Sequence, residues 1–174
     1  IDRTGNKVLF RSGIDVSRTD SITLNARLAG TTARFLTAVC GLVSGPTLIT
    51  GESSLLSRPM NDLHQALLSL GIGVEWMGEA GHLPVVIHRG VTTGSAVELP
   101  AAISSQFTSA LLLISPVLPG GLSLSIVGEV VSQPYIDMTT VVMRSFGAQV
   151  DAALSSMIVA QGGYLGASFK VEPD

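Results

Sequence analysis

The chain has 174 residues, 46% of them hydrophobic and 13% charged, which is enough apolar material for one buried core of ordinary size and excludes a disordered polymer. A formal net charge of −3 without a cluster of Lys and Arg argues against nucleic acid as the main partner, since phosphate backbones are bound by concentrated cations; small anions stay open, because one or two arginines suffice for them. The single Cys40 excludes an internal disulfide framework and fits a reducing compartment, while His64, His82 and His88 lack metal-ligand spacing, so no metal and no other cofactor is expected.

Mean hydropathy is +0.49, and no charged residue stands between Glu98 and Glu129. Pro116, Pro119, Gly120 and Gly121 divide that stretch into one short helix and one short strand, each too short to cross a bilayer, so no membrane span is expected.

In chain order, "KVLFRSG" (Lys7 to Gly13) reads as the last strand of a preceding unit. Strand Ser21 to Leu24, helix Thr31 to Val43, strand Thr47 to Thr50, helix Pro59 to Leu70 and strands Gly73 to Met77 and Val85 to His88 follow. The pattern then recurs: strand Ala96 to Leu99, helix Ser105 to Val117, strand Leu122 to Val127, helix Pro134 to Phe146 and strands Gln149 to Ala152 and Met157 to Ala160. "GASFKVEPD" at the end reads as a strand leading onward.

The recurrence is visible in the residues themselves. Ser57, Pro59 and Asp62 return as Ser132, Pro134 and Asp137, each 75 residues later. "SLGIGVEW" returns as "SFGAQVDA" at an offset of 76, "VVIHRG" as "MIVAQG" at 72, and Gly30-Thr31 falls opposite Ser104-Ser105 at 74. The expected organisation is one partial domain: the tail of a truncated first unit (1–20), a second unit (21–90), and a third unit with the start of a crossover (91–174). Other units of the same protein are expected outside this segment.

Four helix starts carry more polar groups than capping requires. Pro59 suits a first helical position, which puts Arg58 at the N-cap, where a cation opposes the helix dipole unless an anion sits in front of it; a surface carboxylate is the equal alternative. In "AGTTARF", Gly30 and Thr31 open a helix with Arg34 one turn inside, as in an anion site of free backbone N–H groups, or as ordinary capping. Ser104, Ser105 and Gln106 repeat this with neutral donors, of which one serine is enough for the cap. In "SQPYID", Ser132 precedes the helix and Tyr135 lies in its first turn, as a ligand contact or as a core aromatic. Asp62 and Asp137 read as first-turn capping partners. Parallel packing of equivalent helices brings these openings to one face, forming a cleft for anionic ligands.

"LAGTTAR", "SRPMNDL", "SSQFTSALLL" and "SQPYIDMT", in this order and spacing, resemble the N-terminal half of the 5-enolpyruvylshikimate-3-phosphate synthases (3-phosphoshikimate 1-carboxyvinyltransferases) over nearly the whole chain. The resemblance implies an α/β fold, an inside-out α/β barrel of repeated βαβαββ units with sheets outside and helices buried, of which this segment is a partial domain. It implies transfer of the carboxyvinyl group of phosphoenolpyruvate to the 5-hydroxyl of shikimate 3-phosphate, with release of phosphate and without a cofactor. By motif position Gly30 and Arg58 are implied to contact phosphoenolpyruvate, and Ser104, Ser105, Ser132 and Tyr135 shikimate 3-phosphate. Gln106 is implied to lie between the two, with Thr31 and Arg34 in support. No catalytic acid or base is implied within these residues. The missing second domain of the same protein is therefore the implied partner, and no turnover is expected from the 174 residues alone. A monomeric whole protein in the cytoplasm, or in a plastid if from a plant, is implied too. The chain departs from the family pattern at Leu28 (usually Asn), Phe35 (usually Pro) and Ser54 (usually Arg), all on the phosphoenolpyruvate side. The alternatives are a sibling UDP-N-acetylglucosamine enolpyruvyl transferase and a non-catalytic repeat module whose helix starts merely cap.

Overall fold

The structure, a computed structural model, describes residues 1–90, 96–101, 104–128 and 132–171. It opens on an exposed antiparallel hairpin of β1 (Asp2–Thr4) and β2 (Lys7–Leu9). Next come β3 (Ile22–Asn25), α1 (Gly30–Cys40), β4 (Thr47–Thr50), a single helical turn α2 (Ser53–Leu56), α3 (Asn61–Ser69), β5 (Gly73–Trp76) and β6 (Val85–His88). The second run is β7 (Ala96–Pro100), α4 (Ser105–Ile114) with a 3-10 turn at Ser115–Val117, β8 (Leu122–Val127), α5 (Gln133–Ser145), β9 (Val150–Ala152) and β10 (Ser156–Val159).

Both runs build the same sheet. The strand orders are β3-β4-β6-β5 and β7-β8-β10-β9. In each, the first two strands are parallel and the third is antiparallel to both its neighbours. Parallel neighbours need a crossover, which α1 and α4 supply. Because β3 and β4 point the same way, the helices that follow them return the same way, and the same holds for α4 and α5 after β7 and β8. Helix starts are thereby placed at one end of the sheets.

Side-chain alternation explains the layering. In β8, Leu122, Leu124 and Ile126 are buried while Ser123 and Ser125 between them are only partly so; in β6, Val85 and Ile87 are buried and Val86 is not. One face of each sheet therefore covers helices and the other faces out. α4 is apolar on nearly all sides and lies between α1 and α5, as expected of a helix buried all round. Ala33, Ala38 and Ala110, each at most 1% exposed, let α1 and α4 approach closely. On its other flank, Ser109 and Thr139 hydroxyls bond at 2.7 Å, and Thr139 Oγ1 also donates to Tyr135 O at 2.8 Å. At the turn into β8, Gly121 has φ +72°, and a Cβ there would lie 2.0 Å from Val159 O, so only glycine fits.

Several expected boundaries move. Pro59 does not open α3: Met60 is its N-cap, its side chain is buried, and its N–H donates to Gly81 O at 2.8 Å, which keeps both residues outside the helix until Asn61. α1 ends at Cys40, and α4 passes at Ser115 into the tighter 3-10 turn that carries Pro116. α5 starts one residue early, at Gln133, with Pro134 second. Asp137 consequently lies beyond its first turn, where its carboxylate accepts from Gln133 Nε2 at 2.7 Å instead of capping. "KVLFRSG" supplies only the three residues of β2, paired to β1.

The final segment forms no strand among the described residues. It runs as an irregular strap over the C-terminal ends of α4 and α5. Gly162 and Gly163 N–H groups donate to Pro116 O, Tyr164 Oη donates to Leu113 O at 2.9 Å, and Leu165 N–H donates to Phe146 O at 2.8 Å. Phe169 packs on Phe146 with ring centroids 5.7 Å apart. The crossover expected near Asp174 lies outside the described residues, and no helix among those described is long and apolar enough to cross a membrane.

Candidate anion-binding cleft

Four of the residues singled out from sequence meet. Gly30 is the first residue of α1 and is buried. A Cβ built on it would stand 3.0 Å from Arg58 Nη1 and 3.3 Å from Arg34 Nη1. Two guanidinium groups thus converge over the start of α1, where backbone N–H groups lack helical partners. Arg34 Nη1 also donates to Gln106 Oε1 on α4, which ties the openings of α1 and α4 together.

The origin of each placement is local. Arg58 is not an N-cap as its proline neighbour suggested; its N–H donates to Leu55 O and closes the last turn of α2, and the exposed side chain reaches back to Gly30. Arg34 sits one turn inside α1, partly buried, with Cζ 5.1 Å from the centroid of the Phe107 ring, a cation–π geometry. Its Nε is buried with no hydrogen-bond partner among the described residues. Burial first, and the Arg58 charge second, push the Arg34 guanidinium below its ordinary pKa. Among the described residues, the ion pairs involve Arg11, Arg18, His82 and His88 and neither of these two arginines. Two cations side by side without an acid repel each other, and an anion between them relieves that repulsion.

On α4, Ser104 is the N-cap and its Oγ accepts from Gln106 N–H at 3.3 Å. Ser105 is thereby spare, and Gln106 keeps its Nε2 donors, since Oε1 is taken by Arg34. On α5, Ser132 is the N-cap and its side chain accepts no capping bond. Tyr135 is 62% exposed, so it is not a core aromatic. The Ser109–Thr139 bond brackets this part of the cleft: Ser105 and Tyr135 each lie one turn N-terminal to a member of the pair, on helices that run the same way. Thr31 is exposed in the first turn of α1. Among the described residues, no hydrogen bond or ion pair joins Ser132 or Tyr135 to the arginine cluster, and α4 packs between α1 and α5.

Sequence reading missed the clasp between Arg34 and Gln106 and the stacking of Arg34 on Phe107. The repeat offset pairs Gly30 with Ser104 but does not reveal which side chains bridge α1 and α4.

A family model described as EPSP synthase (3-phosphoshikimate 1-carboxyvinyltransferase) matches residues 1–174. A 3-phosphoshikimate 1-carboxyvinyltransferase of Bacteroides fragilis (strain YCH46) is 41% identical over 147 residues, 84% of this chain and 36% of that protein. That of Methanococcoides burtonii is 38% identical over 152 residues, 86% of this chain and 35% of that protein. The solved EPSP synthase of Acinetobacter baumannii superposes with a TM-score of 0.69 at 24% identity, covering 83% of this chain and 32% of that one, which shows the fold. The chain spans about a third of the length of the curated relatives it matches.

Proposed function

Since the chain belongs to the EPSP synthase family, we propose that it forms part of an enolpyruvyl transferase that moves the carboxyvinyl group of phosphoenolpyruvate to the 5-hydroxyl of shikimate 3-phosphate. In this reaction the double-bond pair of the enol takes a proton at its CH2 carbon, and the 5-hydroxyl oxygen bonds to C2 as it gives up its own proton to a base, giving a tetrahedral intermediate. Phosphate then leaves, and loss of a methyl proton restores the double bond. The residues described here hold the substrates; the proton carriers belong to the rest of the protein. In this reading the 174 residues do not turn over alone, and their partner is the second domain of a monomeric, cytoplasmic or plastid protein.

The observation that carries the reading is the convergence of Arg34 and Arg58 on the Gly30 helix start, with neither arginine in an ion pair among the described residues. Gly30 and Arg58 bind phosphoenolpyruvate, with Thr31 and Arg34 in support. Ser104, Ser105, Ser132 and Tyr135 bind shikimate 3-phosphate along the starts of α4 and α5. Gln106 stands between the two ligands. Catalysis here is proximity and charge: two polyanions are brought together by cations and helix N–H groups that offset their repulsion. The test is phosphate release by the full-length protein with phosphoenolpyruvate and either shikimate 3-phosphate or UDP-N-acetylglucosamine. Release with the first acceptor and not the second is expected; the reverse, or neither, overturns the proposal.

A further inference from the structure

We propose that Arg34 is a positioning residue, which fixes the side-chain amide of Gln106 so that its two Nε2 donors are turned toward the ligands. This rests on the reading of the cleft given above and adds a role for a residue that need not touch either substrate.

A guanidinium has five donors and no acceptor, and an amide has one end of each kind. Arg34 can therefore bond only the Oε1 end of Gln106, as it does. Turning the amide over would set NH2 against a cation and lose the bond. The usual ambiguity in amide orientation is removed by a charge. Arg34 is itself fixed: Phe107, the residue after Gln106 on α4, lies under its Cζ at 5.1 Å, and buried Ala33 precedes it in α1. Gln106 is held from its own backbone too, where its N–H is taken by the Ser104 cap. Both ends of the residue are engaged, and Nε2 is what remains.

The division of labour between the arginines follows from exposure. Arg58 is exposed and free of hydrogen bonds from its side chain among the described residues, whereas Arg34 is partly buried with one nitrogen on Gln106. Arg58 is the group that meets the anion. Arg34 acts through Gln106, and lysine does not replace it, because an ammonium neither stacks on Phe107 as a plane nor offers a rigid fork.

The experiment is a double-mutant cycle in the full-length protein, reading phosphoenolpyruvate and shikimate 3-phosphate affinity separately for wild type, Arg34→Met, Gln106→Met and the double variant, with Arg34→Lys as a fifth protein. Loss of a charge-assisted hydrogen bond corresponds to a drop of about 10- to 100-fold. Each single change is expected to weaken binding, and Arg34→Met is expected to cost nothing further once Gln106 is already Met. Losses that multiply in the double variant overturn the proposal and make Arg34 a direct ligand contact. A second readout needs no ligand: in protein labelled with 15N-glutamine, the Gln106 side-chain amide resonances should shift and gain solvent exchange in Arg34→Met and in Arg34→Lys. Unchanged resonances overturn the proposal even if a substrate still binds. Failure of wild type to bind either ligand, with the resonances responding, removes the assigned substrates and leaves the clasp standing.

Discussion

Arg34 on α1 and Gln106 on α4, 72 residues apart, are joined by a hydrogen bond from Nη1 to Oε1. The bond crosses from one repeat to the next at the level where both helices begin, and it converts two separate helix starts into a single wall. Around it, Gly30 and Arg58 complete a basic recess.

Arg58→Ala should reduce phosphoenolpyruvate affinity of the full-length protein by about 10- to 100-fold, the worth of one charged hydrogen bond. Stability should change little, because the side chain is exposed. Calorimetric titration checks the first and a thermal melt the second. Unaltered affinity would place the anion elsewhere.

Gly30→Ala separates folding from binding. Gly30 at the first residue of α1 has no positive φ, so alanine fits the backbone there without strain. Its Cβ nevertheless enters the space 3.0 Å from Arg58 Nη1 and 3.3 Å from Arg34 Nη1. The exposed Arg58 side chain yields, and Arg34 needs to give by only a few tenths of an ångström, so the variant should fold as well as wild type and bind phosphoenolpyruvate more weakly. A variant that binds normally contradicts the assignment of this recess.

His64 makes stability depend on pH. It is fully buried, its Nδ1 accepts from Trp76 Nε1–H at 3.0 Å, and burial first and His82 second push its pKa from 6.5 down to about 4. Between those values the unfolded chain holds the extra proton and the folded one does not. Stability is therefore complete above pH 6.5 and falls as pH drops toward 4, by roughly 3 kcal/mol at most for this group. Urea titrations across the range should give a shallower dependence for His64→Phe; equal slopes would show that His64 does not titrate as described.

Thr139→Val should cost about 1–3 kcal/mol, because it leaves Ser109 Oγ buried without its partner. Adding Ser109→Ala should recover part of that loss, since the two hydroxyls form one network. Denaturant midpoints of the single and double variants decide this, and simple additivity would argue against the bond.

Much of the architecture could be read from the residues. β4, β6 and β8 run over the residues that alternation marks, and the repeat in sequence reappears as two sheets of identical strand order. The readings that failed depended on partners far away in the chain. Pro59 looked like a helix start until the bond from Met60 N–H to Gly81 O is known. "GASFKV" has strand composition, but the strap it continues is fixed just before it by the bonds of residues 162–165 to Pro116, Leu113 and Phe146, and within it by Phe169 on Phe146. Of the cleft, the residue types and their helix-start positions were visible, and the clasp between α1 and α4 was not, because one helix's pattern says nothing of its rotation against another.

α4 has two duties along a single rod, with leucines and isoleucine packed on every side and a polar tip that opens the cleft. Its tip residues are already immobilised before a ligand arrives, so little freedom remains to be surrendered on binding. The converse is fragility: a cavity anywhere along the rod, such as Leu111→Ala would leave, loosens the tip as well as the interior, so damaged recognition should precede global unfolding as an early symptom of a weakened core.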